Sequence, residues 1–361
     1  MSNRKCNFGA GPCTLPLEVL QQAQQEFVDF HGAGMSLIEM SHRSKEYDSV
    51  HSEAMSLAKD VFGTPDDFEI LFLQGGATLQ FAMVPMNFLK PDNVAAYVDS
   101  GSWASKAISD AKLYGNVYVA WDGSECNYTR MPADSELELR DGTRYLHITS
   151  NETIGGIRYA DWPNAGVPMI SDMSSDFMSR PIPWERFDLV YGGVQKNLAP
   201  SGMAVVFIRK NVIEELNQDI GAYLRYGIHA KSLSLYNTPP VFTIYMMLLV
   251  IRWMKGLGGL PVIERMADEK ADVLYKVIDQ SGGFFNCPID EKYRSRMNIV
   301  FRLRGEELER KFLSEAGAAE LIGLKGHRSV GGCRASCYNA LPKACVDTLA
   351  QFMREFQRVN G

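Results

Sequence analysis

The sequence predicts an α/β fold: a large domain around a mostly parallel seven-stranded sheet, followed by a smaller α+β domain at the C-terminus. Short apolar runs alternate with helix-length amphipathic segments, a pattern typical of a parallel sheet covered on both faces. The length of 361 residues is sufficient for two or three domains. The alternation of apolar runs and helical segments changes near residue 256, where Gly-Leu-Gly-Gly-Leu-Pro breaks a helix.

The elements of the large domain, predicted over residues 16–255, follow from hydrophobic spacing. Pro16 suits a first helical position, and apolar residues at 17, 20, 23, 27 and 30 predict the first helix. Tyr47, Val50, Ala54, Leu57 and Val61 predict a second helix in the same way. Further helices are predicted from about residue 78 and over 103–114. Seven strands are predicted at 68–73, 94–99, 117–121, 145–149, 167–172, 187–192 and 203–208.

The smaller domain is predicted to contain residues 256–361 together with the N-terminal segment 1–15. It should hold a long helix that ends near residue 280, a strand at 297–303, and helices around 305–316 and 342–359.

Composition limits the classes of function. The chain is 46% apolar and 22% charged with a net charge of −6, which disfavours nucleic acid and anionic membranes as partners. The longest apolar stretch, residues 241–251, is too short to span a bilayer, and the polar start lacks a signal-peptide core. We therefore expect a cytoplasmic protein.

The seven cysteines are scattered and odd in number, without a Cys-x-x-Cys pair, so we expect no disulfide framework. Cys333 and Cys337 lie near His327, but no second histidine stands at ligand spacing. We predict no metal site and expect these cysteines to be small buried apolar residues.

Polar residues follow the predicted strands, where open α/β sheets bind their ligands. Together they supply a phosphate cradle, an aromatic ring, a hydroxyl, a carboxylate and an amine at one edge of one sheet. The segments are residues 75–78, 99–103, 150–153, Asp172 and 192–197.

Lys196 follows a buried-looking strand and precedes the apolar, glycine-rich Leu-Ala-Pro-Ser-Gly. Desolvation there would lower the pKa of its amine and make it a nucleophile for Schiff-base chemistry, whereas most lysines are solvated surface charges. Asp172 ends a strand. It is either the N-cap of a following helix or a buried carboxylate that holds the protonated ring nitrogen of pyridoxal phosphate.

The segment 75–78, Gly-Gly-Ala-Thr, is either a plain tight turn or the phosphate-binding start of a helix. Trp103 is either a core residue or a stacking plate, and its small polar neighbours leave its face open. Neither Gly-x-Gly-x-x-Gly nor a Walker lysine is present, so nucleotide binding has no support.

Arg43, Arg328 and Arg334 stand beside glycine, serine or histidine. Surface arginines are common, but a guanidinium also binds carboxylate or phosphate through two parallel hydrogen bonds. Three such arginines in an acidic protein predict a substrate with at least two anionic groups.

These segments resemble the phosphoserine aminotransferase family, which are class V aminotransferases with the fold type I of pyridoxal-phosphate enzymes. The resemblance covers the whole chain, and its Ser-His-Arg, Asn-Glu-Thr and Gly-His-Arg motifs are more specific than the lysine motif. The matching segments are residues 8–12, 41–46, 150–154, 195–197, 236–240, 295–298, 325–328 and 331–336.

The resemblance implies pyridoxal 5'-phosphate as cofactor, bound covalently by Lys196. Asp172 would pair with the ring nitrogen, Trp103 would stack on the ring, and Thr153 would bond its phenolic oxygen. The cofactor phosphate would be held by Gly76, Ala77, Thr78 and Gln195, and by Asn237 and Thr238 from the second copy of a homodimer.

The resemblance also implies the substrates. Arg334 would bind the α-carboxylate, and Arg43 with His42, His327 and Arg328 would bind the distal anion. L-Glutamate and 3-phosphohydroxypyruvate would be converted to 2-oxoglutarate and phosphoserine in serine biosynthesis. Use of 3-hydroxy-2-oxo-4-phosphonooxybutanoate in vitamin B6 synthesis is left open. Some relatives carry an arginine in the turn at Ala77 and Thr78, which this chain lacks.

Three alternatives compete with this interpretation. A class V cysteine desulfurase would use Cys333 or Cys337, but that family has a histidine before its lysine where this chain has Gln195. Another small-amino-acid aminotransferase would keep the cofactor residues and change the substrate. An inactive scaffold protein would usually have lost the lysine or the aspartate, and both are present.

Overall fold

The computed structural model describes residues 4–361. Its strands are β1 (Cys6–Asn7), β2 (Phe68–Gln74), β3 (Val94–Asp99), β4 (Asn116–Asp122), β5 (Thr143–Thr149), β6 (Asn151–Glu152), β7 (Ile157–Arg158), β8 (Met169–Asp172), β9 (Phe187–Gly193), β10 (Met203–Arg209), β11 (Phe285–Asn286), β12 (Asn298–Leu303), β13 (Leu321–Ile322) and β14 (Cys333–Ser336). Its α-helices are α1 (Leu17–Gln25), α2 (Lys45–Val61), α3 (Gly76–Phe88), α4 (Ser102–Ala111), α5 (Lys210–Ile213), α6 (Tyr226–Lys231), α7 (Val241–Leu257), α8 (Leu260–Asp279), α9 (Glu306–Ala318) and α10 (Lys343–Asn360).

A seven-stranded sheet organises the larger part of the chain, in the order β2-β10-β9-β8-β5-β3-β4. The strand β10 runs antiparallel to both of its neighbours, and the other four pairings are parallel. The predicted α/β fold with a mostly parallel seven-stranded sheet is therefore confirmed. Because β5, β8 and β9 are adjacent and parallel, the residues that follow them meet at one edge.

Apolar residues cover both faces of this sheet. Ile70 and Phe72 of β2 belong to a core shared with α2 and α7, whereas Leu71 and Leu73 belong to a core shared with α3 and α4. Successive side chains of a strand point to opposite faces, so an uninterrupted apolar run is what a doubly covered sheet requires.

A second unit of structure is built from the antiparallel sheet β11-β12-β14 and the helices α8, α9 and α10. Phe8, fully buried, belongs to its core, and β1 pairs in parallel with β13. Helix α8 contributes Leu260 to the large core and Leu274 to this one. The domain boundary at residue 256 stays a prediction.

The glycine-rich break lies between α7 and α8, whose axes meet at 86°. Gly258 has φ of 109°, in the left-handed region that glycine adopts most readily at the end of a helix. In residues 4–361, no single helix is both long and apolar enough to cross a membrane, although α7 and α8 pass that test as a bent pair.

Two expectations need correction. Helix α1 ends at Gln25, so Phe27 and Phe30 lie beyond it, in turns where His31, Gly32 and Gly34 have positive φ. Both rings instead make edge-to-face contacts with residues of α7. A disulfide joins Cys6 of β1 to Cys345 of α10, with Cα atoms 5.3 Å apart. Counting cysteines missed this pair because its members are 339 residues apart and meet only through the second core.

Candidate active site

A cavity of about 480 Å³ opens at the carboxyl ends of the parallel strands. The cavity is lined by eight of the residues that are predicted to bind the cofactor. We call these eight residues the cofactor wall. Its members are Gly76, Ala77, Thr78, Trp103, Thr153, Asp172, Gln195 and Lys196. They come from the starts of α3 and α4, from the ends of β8 and of the short strand β6, and from the turn after β9. The sheet order thus brings together residues that are up to 120 positions apart.

Lys196 is buried at the centre of the cofactor wall. Its Nζ donates a hydrogen bond of 2.5 Å to Thr153 Oγ1 and lies 5.5 Å from the centre of the Trp103 ring. Burial lowers the pKa of Lys196 to about 8, although the nearby Asp172 and Glu152 act to raise it. An amine with this pKa is partly unprotonated near neutral pH, as nucleophilic or base chemistry requires.

Asp172 ends β8 and is also buried. Its Oδ1 accepts hydrogen bonds from the Ser174 backbone N–H at 2.8 Å and from Ser174 Oγ at 2.6 Å. Burial raises the pKa of Asp172, whereas the two bonds from Ser174 favour the ionised form. Turns and not a helix follow this residue, so the alternative that Asp172 is a helix N-cap does not hold.

The start of α3 provides an anion cradle. Gly75 and Gly76 have φ of 93° and 65°, and no side chain caps the first turn of the helix. A Cβ atom placed on Gly76 would meet nothing within 4 Å, so open space lies beside these backbone N–H groups. The segment is therefore both the tight turn and the helix start, and free amides at a helix N-terminus suit a phosphate.

Two buried donors near the cavity have no hydrogen-bond partner among residues 4–361. They are Nε1 of Trp103 and Nε of Arg334. Buried donors are rarely left unsatisfied in a folded protein. With the open cradle, the buried amine and the buried carboxylate, the residues present fit pyridoxal phosphate.

Arg334 lies on β14 and donates through Nη1 to the Thr153 carbonyl oxygen at 3.0 Å. It lines a second cavity of about 380 Å³, bordered also by Ser102, Ile154 and Gly155. His327 is half-buried near this cavity. Burial lowers its pKa, as do the positive charges of Arg334, Arg328 and Lys106. Arg334, Arg328 and Lys106 therefore form a cationic cluster around His327.

Other predicted residues stand apart. His42 and Arg43 precede α2 and lie outside both cavities, with Arg43 exposed. Asn237 and Thr238 also lie outside the cavities. The Asn237 side chain donates to Gln74 Oε1 at 3.1 Å, and Gln74 Nε2 donates to the Thr238 carbonyl oxygen at 3.1 Å. A single chain therefore completes the cofactor wall but not the anion-binding group, by which we mean His42, Arg43, His327, Arg328 and Arg334.

Several residues at the site were not predicted individually. Ser174 supports Asp172, Glu152 contacts the start of α4, and Gly11 and Pro12 line the cavity. Glu152 and the pair Gly11–Pro12 lie inside motifs that carried the resemblance. The only signal in the sequence for Ser174 is its position two residues after Asp172. At this spacing an aspartate side chain can accept a hydrogen bond from the backbone in a local turn.

This fold, with an amine, a carboxylate, an indole and a helix N-terminus around one cavity, defines a pyridoxal-phosphate-dependent transferase. The family model described as aminotransferase class V matches residues 6–349. A phosphoserine aminotransferase of Bacillus subtilis (strain 168) is 50% identical over 357 residues, which cover 99% of each chain. The chain therefore belongs to the class V aminotransferases and, within them, to the phosphoserine aminotransferase family.

Solved structures agree with this assignment. The phosphoserine aminotransferase from Bacillus circulans subsp. alkalophilus superposes with a TM-score of 0.98 at 50% identity, covering 100% of both chains. The pyridoxal-phosphate-bound enzyme from Trichomonas vaginalis gives a TM-score of 0.93 at 37% identity and covers 97% of this chain and 100% of its own.

Proposed function

We propose that the protein transfers the amino group of L-glutamate to 3-phosphohydroxypyruvate, giving O-phospho-L-serine and 2-oxoglutarate, with pyridoxal phosphate as cofactor. The observation that carries the proposal is the position of Lys196, buried between Thr153 and Trp103 in the cavity that also holds Asp172. The Bacillus subtilis relative is a phosphoserine aminotransferase, which supports the substrates. The Trichomonas vaginalis enzyme binds pyridoxal phosphate, which supports the cofactor.

When bound, the cofactor supplies an electron sink for the carbanion at the substrate Cα. Lys196 is placed to anchor the cofactor through its amine and, once released, to move the proton at Cα. With the cofactor bound, Asp172 would hold a proton at the ring nitrogen, and Ser174 would keep its carboxylate in place. Trp103 would stack on one face of the ring. The amides at the start of α3, with Thr78 and Gln195, would hold the phosphate.

The two substrates share an α-carboxylate and differ in the distal anion. We assign the α-carboxylate to Arg334, whose Nη1 is anchored on Thr153 and whose Nε has no partner among residues 4–361. Arg328 supplies positive charge and His327 a hydrogen-bond donor for the distal anion, which is a phosphate in one half-reaction and a carboxylate in the other. A cationic cluster without a carboxylate of its own accepts both.

The proposal includes a homodimer. His42, Arg43, Asn237 and Thr238 lie outside the cavities of their own chain, so their predicted contacts with substrate and cofactor require a second copy. A cytoplasmic location is also part of the proposal. It is tested by cell fractionation.

The cysteine desulfurase alternative finds little support in the geometry. Cys333 and Cys337 are buried, and burial raises the pKa of both thiols to about 12. A thiol with that pKa is a poor nucleophile at neutral pH. Full aminotransferase activity in a Cys333→Ser/Cys337→Ser variant would remove this alternative.

The test is the visible absorption spectrum of the purified protein loaded with pyridoxal phosphate. L-Glutamate should convert the yellow form to the pyridoxamine form, and 3-phosphohydroxypyruvate should restore it. A yellow protein that responds only to alanine or cysteine would change the substrate. A Lys196→Ala variant should show neither the original band nor turnover. Adding 3-hydroxy-2-oxo-4-phosphonooxybutanoate to the pyridoxamine form tests the vitamin B6 substrate directly.

A further inference from the structure

Glu152 is a fully buried carboxylate beside the cofactor wall that the proposed reaction does not use. It lies on β6, in a short hairpin that follows β5. Its Oε1 accepts a hydrogen bond of 2.8 Å from the Ala104 backbone N–H, and both carboxylate oxygens lie 3.2 Å from the Trp103 backbone N. The carboxylate therefore sits on the first turn of α4.

Helix α4 has no cap of its own. Its N-cap residue is Gly101, which has no side chain that could accept from the first-turn amides. Four amides at a helix start lack partners within the helix, and a negative charge there is stabilised by the helix dipole. Glu152 thus replaces the missing local cap from a distant part of the chain.

Gly101 makes this approach possible. A Cβ atom at Gly101 would lie 2.9 Å from the Glu152 carboxyl carbon, closer than real Cβ atoms come, and its φ of 150° also favours glycine. The glycine that deprives α4 of a local cap is the one that admits the carboxylate.

The same short segment reaches the other parts of the site. Thr153, the next residue, accepts from Lys196 Nζ through Oγ1 and from Arg334 through its carbonyl oxygen. The helix turn that carries Trp103 is therefore tied directly to the peptide that positions Lys196 and Arg334. A change in the length of the side chain at residue 152 would shift Trp103 relative to both.

We propose that Glu152 is a positioning residue, which clamps the start of α4 so that the Trp103 ring keeps its distance from Lys196 and from the bound cofactor ring. This inference rests on the proposed function, because it assigns Trp103 to the cofactor. Burial, with a smaller contribution from the charge of Asp172, raises the pKa of Glu152 to about 7 against the opposing effects of the two amides and Lys196. The function proposed for Glu152 depends on its reach and on an acceptor oxygen.

Three variants separate reach from charge. Glu152→Gln keeps the length and one acceptor oxygen, whereas Glu152→Asp keeps the charge and is one methylene too short. Glu152→Ala removes both features. Glu125→Gln, on an exposed acidic residue, is the matched surface control. We expect kcat/KM to fall about 10- to 100-fold in Glu152→Asp and Glu152→Ala, since small misplacements of reacting groups have effects of this size. Glu152→Gln should stay within about threefold of the parent, because a single acceptor oxygen preserves most of the cap.

The circular dichroism of the cofactor absorption band reports how the ring is held in the site. A change in this signal therefore distinguishes a positioning function from a general loss of stability. Its intensity should fall in Glu152→Asp and be retained in Glu152→Gln. A double-mutant cycle with Trp103→Ala completes the test. In that background Glu152→Asp should add less than about twofold to the loss, because the group that it positions is already gone.

The outcomes are distinguishable. An equal fall of kcat/KM in Glu152→Gln and Glu152→Asp would overturn the positioning function. So would a double variant whose loss of kcat/KM equals the product of the losses in Trp103→Ala and Glu152→Asp. Either result would leave the proposed function standing. If the parent protein shows no cofactor band and no half-reaction with glutamate, the proposed function itself fails. Should Glu152→Ala not fold, the comparison of the Gln and Asp variants still decides the question.

Discussion

The cofactor wall and the anion-binding group are assembled in different ways. Every member of the cofactor wall lines one cavity of a single chain, at the ends of strands and the starts of helices of one sheet. The anion-binding group is divided between the loop before α2, the loop before β14 and β14 itself. Only Arg334 lines a cavity within the chain, while Arg43 and Arg328 are exposed.

The difference follows from how each set is held. Parallel strands deliver their last residues to one edge, so the cofactor wall is set by the sheet order. Surface loops have no such constraint, and Arg43 and Arg328 lie exposed on two of them. The eight residues of the cofactor wall therefore meet within one chain, whereas the residues predicted to bind the distal anion do not. Four experiments test this division. The three that use substitutions come first, in decreasing order of their expected effect on catalysis.

The largest effect is expected inside the cofactor wall. Asp172→Asn removes the buried charge that would keep the ring nitrogen protonated, and kcat should fall about 10²- to 10³-fold. Ser174→Ala removes only one of the bonds that orient the carboxylate, so its effect should be about tenfold or less. Single-turnover rates with glutamate measure both. Equal rates in Asp172→Asn and the parent would contradict the assignment of Asp172.

The next effect concerns the α-carboxylate. Arg334→Lys keeps the charge but loses the paired donors and the bond to Thr153, which should raise KM for both substrates about 10- to 100-fold, as expected for about 1.5–3 kcal/mol of charge-assisted hydrogen bonding. Arg310→Lys, on the exposed face of α9, is the matched control and should change KM less than twofold. An increase for only one of the two substrates would contradict the assignment of Arg334, because both substrates carry the α-carboxylate.

The comparison itself is tested by mixing subunits. Arg43→Ala should lower kcat/KM about tenfold or more, because a charged partner of the distal anion is lost. In a heterodimer of Arg43→Ala with Lys196→Ala, one site contains the intact lysine from one copy and the intact arginine from the other. About half of the parental activity should then return, since one of two sites is whole. No recovery in tagged, purified heterodimers would place Arg43 at the site of its own chain.

The fourth experiment follows the pH dependence of cofactor capture by the cofactor-free protein. Burial lowers the pKa of Lys196 to about 8, below its ordinary value of 10.5, so its amine loses its proton as pH rises through that value. Since only the free amine reacts, the capture rate followed by stopped-flow absorbance should rise about tenfold per pH unit below pH 8 and level off above it.

Lys270 provides the internal control for this experiment. Burial also lowers its pKa to about 8, but its Nζ donates to carbonyl oxygens of the loop 338–341 and faces neither cavity. A Lys196→Ala variant should therefore show no capture at any pH. A rate independent of pH between 6 and 9 in the parent would contradict the shifted pKa.

Local pattern was sufficient for much of the fold. Apolar runs predicted the bounds of the seven strands within about two residues. Strands that are buried on both faces are mostly apolar along their length, so they stand out in the sequence. Spacing failed at the end of α1, where Phe27 and Phe30 continue a helical rhythm but pack from turns against α7. Cysteine counting failed for Cys6 and Cys345 because it contains no information about which distant segments meet.

The sequence by itself determined the fold class, the strands and the residue types from which the cofactor wall is made. It did so because short-range periodicity and motifs are local properties. Only the tertiary structure decided that Glu152 caps α4, that Thr153 joins Lys196 to Arg334, and that His42 and Arg43 lie away from both cavities. These facts depend on distances between segments that are far apart in the chain. Such distances are set by the packing of whole elements against each other, and no local pattern records them.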